Sequence, residues 1–230
     1  MPQLLQSLHS TVYYRLNQFH DLDAFARNRI RLSHYDLEAV KVKIAGPRDF
    51  TQIAETLDKF RTSTRIVDRT DRGDICVVAY KHDALAHLRW ASLTPMPLKE
   101  FGGRLVHLAP DEAFTYDSYT VPAFRRQGIS GEAKVFLLSH LKQQGIRCTY
   151  SFSRLDNRNT QQVWRKRISE GRVRILGVAT VTTRMGRKRC TFAAETTNTR
   201  PIIARLYDVP PQQVQIRSIY QFLDEQQPAS

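Results

Sequence analysis

Apolar and polar residues alternate with a period of two along some stretches of the chain and follow helical spacing along others. Residues 1–36 predict helix, because apolar side chains recur at helical spacing at Leu4, Leu5, Leu8, Val12 and Leu16. Residues 37–45 alternate and predict a strand, and residues 49–60 predict an amphipathic helix with acidic residues near its start. Apolar runs at 74–80 and 84–93, joined by three residues, predict a β-hairpin.

The second half of the chain continues this alternation of strands and helices. Residues 94–103 predict a loop, 112–121 a strand, and 130–144 a helix that Gly145 closes. A strand at 146–153 and a helix at 157–169 follow, and the segments on either side of "RMGRK" predict a second hairpin. The proline-containing tail from residue 196 predicts mostly irregular structure.

This order of elements predicts a mixed α/β fold. One helix separates the strands 112–121 and 146–153, and such a crossover makes the two strands parallel. The hairpins make their strands antiparallel.

Composition and charge narrow the function classes. The 230 residues are 41% hydrophobic and 25% charged, which is ordinary for a soluble globular protein, and no apolar run approaches the roughly 18 residues that a membrane span needs. The opening residues lack the features of a secretory signal, so we expect a cytoplasmic location. The net charge of +13 favours polyanionic partners such as nucleic acid, acidic membrane or a phosphorylated cofactor.

Cysteine and histidine spacing gives no indication of a metal or disulfide framework. Cys76, Cys148 and Cys190 are odd in number and widely spaced, without a CxxC pair, so buried free thiols are expected. The seven histidines form no HxxxH or HExxH pattern, so no metal site is predicted.

The segment "VPAFRRQGIS" carries the most specific chemistry in the chain. It joins a predicted strand directly to a predicted helix, whose first N–H groups and dipole favour an anion. Gly128 and Gly131 permit close backbone approach, and Arg125 and Arg126 add charges that suit phosphate oxygens. The corner therefore predicts a pyrophosphate site, and the alternative is a tight turn with surface arginines.

Two motifs together resemble the GNAT acyltransferase superfamily. Pro122, Arg125 and Gly128 match its Pro-x-x-Arg-x-x-Gly-x-Gly/Ala loop, with Ser130 in place of the last small residue. A second motif, commonly Asn-x-x-Ala/Ser-x-x-x-Tyr-x-Lys, is matched in spacing by Asn157, Thr160, Trp164 and Lys166, with tryptophan in place of tyrosine. The resemblance covers about residues 37–195.

The resemblance implies a fold and a reaction. It implies a mostly antiparallel central sheet of about seven strands with one splayed parallel pair, flanked by helices. It divides the chain into an N-terminal helical extension (1–36), a GNAT-like domain (37–195) and a partly irregular C-terminal extension (196–230). It also implies that an amine directly attacks acetyl-CoA or another acyl-CoA. The cofactor-binding residues by this resemblance are Thr120, Val121, Arg125, Arg126, Gln127, Gly128, Ile129, Ser130, Gly131, Asn157 and Trp164.

The catalytic groups depart from the family pattern, because the strand positions that carry the usual glutamate of the family hold Phe114 and Tyr116. Asp117 stands beside them. On an ideal strand it would face away from Tyr116 and Ser118, and a bulge would bring it round. Because an indole at Trp164 cannot release a proton usefully, Tyr150 and Ser153 are alternative acids. The catalytic candidates are Asp117, Tyr116 and Ser153.

Three functions follow from these observations. The first is an N-acyltransferase that acts on a small-molecule or peptidyl amine. For this function we expect no specific nucleic acid partner and no transmembrane segment, and the N-terminal stretch could form a homodimer contact. The second is a basic nucleic-acid-binding protein, which the charge favours. The third is a non-catalytic protein of GNAT fold, which the absent glutamate and tyrosine favour.

Overall fold

The computed structural model describes residues 9–19, 22, 35, 37–60, 66–157 and 173–224. Eleven strands lie within them: β1 (His9–Phe19), β2 (Val40–Ile44), β3 (Ile75–Lys81), β4 (Ala84–Ser92), β5 (Met96–Leu98), β6 (Arg104–Val106), β7 (Glu112–Thr120), β8 (Cys148–Arg154), β9 (Arg174–Arg184), β10 (Arg187–Ala194) and β11 (Gln215–Ile216). The described α-helices are α1 (Pro47–Phe60), α2 (Ile66–Asp71), α3 (Ile129–Gln143), α4 (Arg200–Leu206) and α5 (Ile219–Asp224).

The described residues fall into two compact units. The first unit draws them from Met1–His20, Pro95–Leu108 and Tyr150–Ser230, and the second from Asp21–Thr94 and Ala109–Thr149. The predicted division at residues 36 and 195 stays a prediction.

The second unit is built on antiparallel strands in the order β7-β4-β3-β2. The predicted β3–β4 hairpin is confirmed, with Val78 opposite Leu88. Alternate residues of these strands meet the apolar face of α1 and the start of α2 in one core, which contains Ile53, Ile66, Cys76, Val78, Leu85, Leu88 and Trp90.

Helix α3 joins β7 to the beginning of β8, as predicted. Arg147 N–H donates to the Asp111 carbonyl at 2.9 Å, so the two strands begin side by side and run parallel. Gly145 ends the helix with a φ of +86°, and the Ile146 N–H reaches back to the Leu141 carbonyl at 3.1 Å. This is the Schellman pattern that a left-handed glycine permits.

The first unit contains strands in the order β11-β10-β9-β1-β8. β1 pairs antiparallel with β9, β9 forms the predicted hairpin with β10, and β10 pairs parallel with the short β11. Aromatic rings fill part of its interior, with centroids 4.5–6.2 Å apart among Tyr14, Phe101, Phe152, Phe192 and Tyr207.

The predicted helix over residues 1–36 is wrong for residues 9–19, which form β1. Leu8, Val12 and Leu16 are spaced by four residues, and a strand with period two satisfies that spacing as well. β1 lies between β8 and β9 in the sheet. Tyr14, Arg15, Leu16 and Asn17 are consequently all buried, so both faces of the strand are covered.

Three further predictions are corrected. The tail is more regular than expected, because α4, β11 and α5 lie within it, and Pro201 fits the first turn of α4, where its missing N–H has no helical acceptor to lose. Part of the expected loop at 94–103 is β5, which pairs with β6. The first unit contributes five main strands and the second contributes four, which makes nine where about seven were expected. β1 and β11 are the two that the sequence did not predict. Nearly all of the helix predicted at 157–169 lies outside the described residues.

None of the helices within the described residues is long and apolar enough to span a membrane.

Candidate functional site

The strand-to-helix corner has the backbone that the sequence predicts for an anion site. β7 ends at Thr120, a 3₁₀ turn spans Pro122–Phe124, and α3 begins at Ile129. Gly128 is the N-cap of α3, with a φ of +76°, and Arg126 also adopts a positive φ, at +63°. Two left-handed residues so close together curve the backbone around the start of the helix.

Several N–H groups at this corner lack a backbone acceptor within the described residues. The Gly131 N–H donates to the Gly128 carbonyl at 2.8 Å. Across the described ranges, the N–H groups of Gln127, Gly128, Ile129 and Ser130 have no backbone acceptor. Together with the dipole of the 15-residue α3, these groups favour a bound anion.

Side chains around the corner hold it in place and add charge. Arg125 Nε donates to the Thr120 carbonyl at 3.1 Å, and Gln127 Nε2 donates to the Ala123 carbonyl at 3.1 Å. Lys81, at the end of β3, donates to Gln127 Oε1 at 3.0 Å. Sequence reasoning missed Lys81, since it lies 46 residues from Gln127 and belongs to no motif. The side chain of Arg126 is exposed.

Gly128 is also required by its surroundings. A Cβ atom built on Gly128 would lie 2.7 Å from the Tyr35 ring, closer than real Cβ contacts allow. Gly128 therefore leaves room for the Tyr35 ring. We call the backbone of residues 125–131 the cradle. Tyr35 was missed because it belongs to a segment with no recognisable motif.

β7 contains the bulge on which the position of Asp117 depends. Trp90 pairs with Tyr116 and Leu88 pairs with Tyr119, so Asp117 and Ser118 together oppose Arg89. Asp117 has a φ of +43°. The extra residue places Tyr116 and Tyr119 on the same core face, although a spacing of three residues would put them on opposite faces of an ideal strand.

The expectation that Tyr116 and Ser118 share a face is therefore wrong. Tyr116 packs on the Trp90 side of the sheet, whereas the Ser118 hydroxyl accepts a hydrogen bond from Arg89 at 2.8 Å. Arg89 and Trp90 are consecutive residues of β4 and point to opposite faces.

Asp117 is engaged by a buried arginine. Arg69 of α2 donates to Asp117 Oδ2, and its guanidinium lies 4.8 Å from the Trp90 ring centroid and 4.9 Å from that of Tyr116. Only 6% of Arg69 is exposed. The bulge brings Asp117 to the expected face, and there its carboxylate neutralises a buried cation.

A second ion pair lies beside the first. The Tyr116 hydroxyl donates to Asp74 Oδ2 at 2.5 Å, and Arg72 donates to the same oxygen at 2.6 Å. Burial, followed by the hydrogen bond to Asp74, raises the pKa of Tyr116 well above its ordinary value. Sequence reasoning missed Arg69, Arg72 and Asp74.

Thr120 and Val121 close β7 just before the corner. Thr120 Oγ1 lies 2.8 Å from His87 Nδ1, and the Val121 N–H donates to the Ala86 carbonyl at 3.0 Å. Burial, reinforced by the charge of Arg89, lowers the pKa of His87 well below its usual value. The imidazole is therefore neutral and serves as a partner for Thr120.

The remaining predicted site residues belong to the first unit or are not described. The Ser153 hydroxyl lies 3.4 Å from the guanidinium of Arg15, whose pKa burial lowers to about 10. The Tyr150 hydroxyl accepts from Gln18 at 3.4 Å and from Arg205 at 3.3 Å. The Asn157 N–H lies 3.4 Å from the Arg154 carbonyl. Trp164 lies outside the described residues.

The cysteines are free thiols, as expected, although only Cys76 is fully buried. Burial raises the pKa of Cys76 and of Cys190 to about 12, so neither thiol forms a thiolate near neutral pH. Across the residues that the structure covers, no three His, Cys, Asp or Glu side chains are grouped to hold a metal ion.

Comparison with known proteins identifies the fold. No protein-family model matches the sequence, and no curated protein is similar to it. A putative acetyltransferase of the GNAT family from Novosphingobium aromaticivorans DSM 12444 superposes with a TM-score of 0.50 at 11% identity, over 77% of this chain and 66% of that one. The chain has a GNAT fold. A functionally unknown conserved protein from Staphylococcus epidermidis ATCC 12228 is similar to this GNAT-fold chain with a TM-score of 0.52 at 9% identity, over 80% of this chain and 65% of that one. The chain spans slightly less than two thirds of the length of both structures.

Proposed function

We propose that this protein is a GNAT-type N-acyltransferase that transfers an acetyl or other acyl group from acyl-CoA to a primary amine. The observation that carries the proposal is the cradle at the start of α3, joined within a GNAT fold to a bulged β7. Its donor N–H groups, positive φ angles and arginines fit a pyrophosphate.

The corner would hold the nucleotide end of acyl-CoA. The N–H groups of Gln127 through Ser130 would donate to the pyrophosphate, Arg125 and Arg126 would contribute charge, and Gly131 would allow the helix to start close to it. Thr120 and Val121 would border the arm that carries the acyl group. The assignment of Asn157 and Trp164 to cofactor binding stays a prediction from the family resemblance. Acyl-CoA supplies the activated thioester, and the protein supplies position and proton transfer.

The acceptor amine must lose a proton during transfer, and β7 would supply the groups near it. Asp117 and Tyr116 stand at the bulge, and Ser153 remains the candidate donor on β8. Arg69 donates a hydrogen bond to Asp117, so this carboxylate is already paired with a cation. Whether Asp117 is needed is tested by Asp117→Asn, with turnover and acetyl-CoA binding measured on the same preparation.

Reversal of one charge at the cradle tests cofactor binding. Acetyl-CoA should raise the melting temperature of the wild type, because a ligand that binds only the folded state stabilises it. Arg126→Glu should abolish most of this shift, since it replaces an exposed cation beside the pyrophosphate with an anion. Arg187→Glu changes the net charge equally at an exposed position of the first unit, outside the cradle, and serves as the control.

Equal acetyl-CoA shifts for wild type, Arg126→Glu and Arg187→Glu would contradict the assignment of the cradle. A wild type that acetyl-CoA does not stabilise would contradict the function itself.

A non-catalytic GNAT-fold protein that binds acyl-CoA is the second candidate, and the engagement of Asp117 by Arg69 favours it. Release of free CoA thiol in the presence of a small-molecule or peptidyl amine separates the two candidates. A homodimer, a cytoplasmic location and the absence of a specific nucleic acid ligand stay predictions.

A further inference from the structure

Asp74 is a buried carboxylate in which one oxygen accepts two hydrogen bonds and the other accepts none from the described residues. Its Oδ2 accepts hydrogen bonds from Tyr116 and Arg72. Its Oδ1 is buried and has no hydrogen-bond partner among the residues described. Only 8% of Asp74 is exposed. An unsatisfied buried acceptor costs free energy, so its presence calls for an explanation.

Local structure fixes Asp74 where it is. Gly73 adopts a φ of +77° directly after α2, so that Gly73 N–H bonds to the Thr70 carbonyl and Asp74 N–H to the Arg69 carbonyl, both at 2.9 Å. This Schellman pattern ends α2 and starts β3 within three residues. It holds Asp74 and Arg69 at the same end of α2, so that both reach β7.

Tyr116 is equally constrained. Its ring lies 6.5 Å from that of Trp90 at an interplanar angle of 30°, and Arg69 covers it. A phenol has one proton, and Tyr116 directs that proton to Asp74. Its oxygen accepts a hydrogen bond from Arg72 in turn, and its remaining lone pair can accept one from a neighbouring group at the β7 bulge.

We propose that Tyr116 and Asp74 form the proton relay that deprotonates the acceptor amine. The inference rests on the proposed function and assigns its base. Tyr116 touches the amine, and Asp74 is a positioning residue that acts through it.

The step balances as follows. The acceptor nitrogen forms a bond to the acyl carbon, and the bond from that carbon to sulfur breaks. The N–H proton passes to the Tyr116 oxygen while the Tyr116 proton passes to Asp74. The proton then returns through Tyr116 or water to the sulfur of the released thiol, which restores the ionised Asp74.

The charges of the neighbourhood support Asp74 as the final proton acceptor. Arg69, Arg72, Asp74 and Asp117 sum to zero when all are ionised. A proton on Asp74 leaves this group with one net positive charge at the moment when negative charge develops on the departing sulfur. Opposite charges that appear together at close range in a buried site stabilise each other.

Two single variants and their combination test the relay. Tyr116→Phe and Asp74→Asn should each lower kcat by about 10²–10⁴-fold, the usual contribution of a general base. The double variant should be no slower than the slower single one, because the two groups act as one unit. Tyr119→Phe is the matched control, since Tyr119 packs on the same core face, and should leave kcat nearly unchanged.

Two measurements separate a relay from a merely structural role. Asp74→Glu should recover part of kcat. Ultraviolet titration of tyrosinate, with Tyr116→Phe subtracted, should show a lower Tyr116 pKa in Asp74→Asn than in wild type, since removing a negative acceptor favours ionisation.

The acceptor is supplied as a panel of a polyamine, an aminoglycoside and a lysine-containing peptide, with acetyl-CoA as donor. A Tyr116→Phe variant that keeps the wild-type kcat and acetyl-CoA binding would overturn the relay. The proposed function would still stand. A wild type that binds acetyl-CoA but acylates none of the panel would overturn the relay and favour the non-catalytic candidate. A wild type that acetyl-CoA does not stabilise would overturn both proposals.

Discussion

Single residues at the cradle are constrained by backbone angle and by neighbours at the same time. Gly128 needs a positive φ to start α3 and also has the Tyr35 ring against it. Gly145, at the other end of the same helix, needs a positive φ but has open space around it. The two glycines therefore separate the cost of backbone strain from the cost of contact.

Gly128→Ala should destabilise the protein more than Gly145→Ala. The left-handed conformation alone costs a non-glycine residue about 1–2 kcal/mol. Contact with Tyr35 adds to that cost at Gly128 only, and the addition should vanish when Gly128→Ala is introduced into Tyr35→Ala protein. Urea unfolding of the wild type, the three single variants and the Gly128→Ala/Tyr35→Ala double variant measures this. An equal cost of Gly128→Ala with and without Tyr35 would show that the contact carries no energy.

Single residues within a strand determine how that strand meets its neighbours. In β7, one additional residue turns Asp117 toward Arg69 and aligns Tyr116 with Trp90. In β9, Gly177 lies opposite Ala194, so close to β10 that a Cβ atom on it would sit 1.9 Å from the Ala193 carbonyl oxygen. A strand at that position admits only glycine without moving its neighbour.

Gly177→Ala should consequently separate β9 from β10 locally. Overpacking against backbone costs about 3 kcal/mol, the upper part of the usual range, or more. This corresponds to a melting temperature lower by roughly 10 °C for a chain of this size. Gly186→Ala, in the turn of the same hairpin with open space around the glycine, is the control and should cost only its backbone strain. Equal losses in the two variants would contradict the close approach.

At the scale of the whole molecule, the dominant property is positive charge. The net charge is +13, and the turn of the β9–β10 hairpin exposes Arg184, Arg187, Lys188 and Arg189. Such a surface attracts any polyanion through long-range electrostatics without recognising its sequence.

Duplex DNA should therefore bind weakly and lose affinity steeply with salt. For about four phosphate contacts, affinity should fall roughly a hundredfold between about 50 and 200 mM salt. Fluorescence anisotropy with two unrelated duplexes measures both the salt slope and the sequence preference. Salt-tolerant binding to one duplex alone would instead favour a nucleic-acid-binding protein.

Local sequence information was sufficient for elements whose hydrogen-bond partners are near in the chain. The β3–β4 and β9–β10 hairpins, α1, α3 with its closing Gly145, and the glycine-containing corner at 125–131 were all predicted, because turn chemistry and periodicity act over a few residues. The same local signals predicted an anion site at the corner before any partner was known.

Tertiary structure decided everything that depends on distant partners. Residues 9–19 have a periodicity that fits helix or strand, and pairing with β9, more than 150 residues away, selects the strand. Asp117 lies near Tyr116 in sequence, but its ion pair comes from Arg69, and the partner of Tyr116 is Asp74. Long-range pairing and burial carry more free energy than intrinsic propensity, and no local pattern encodes them.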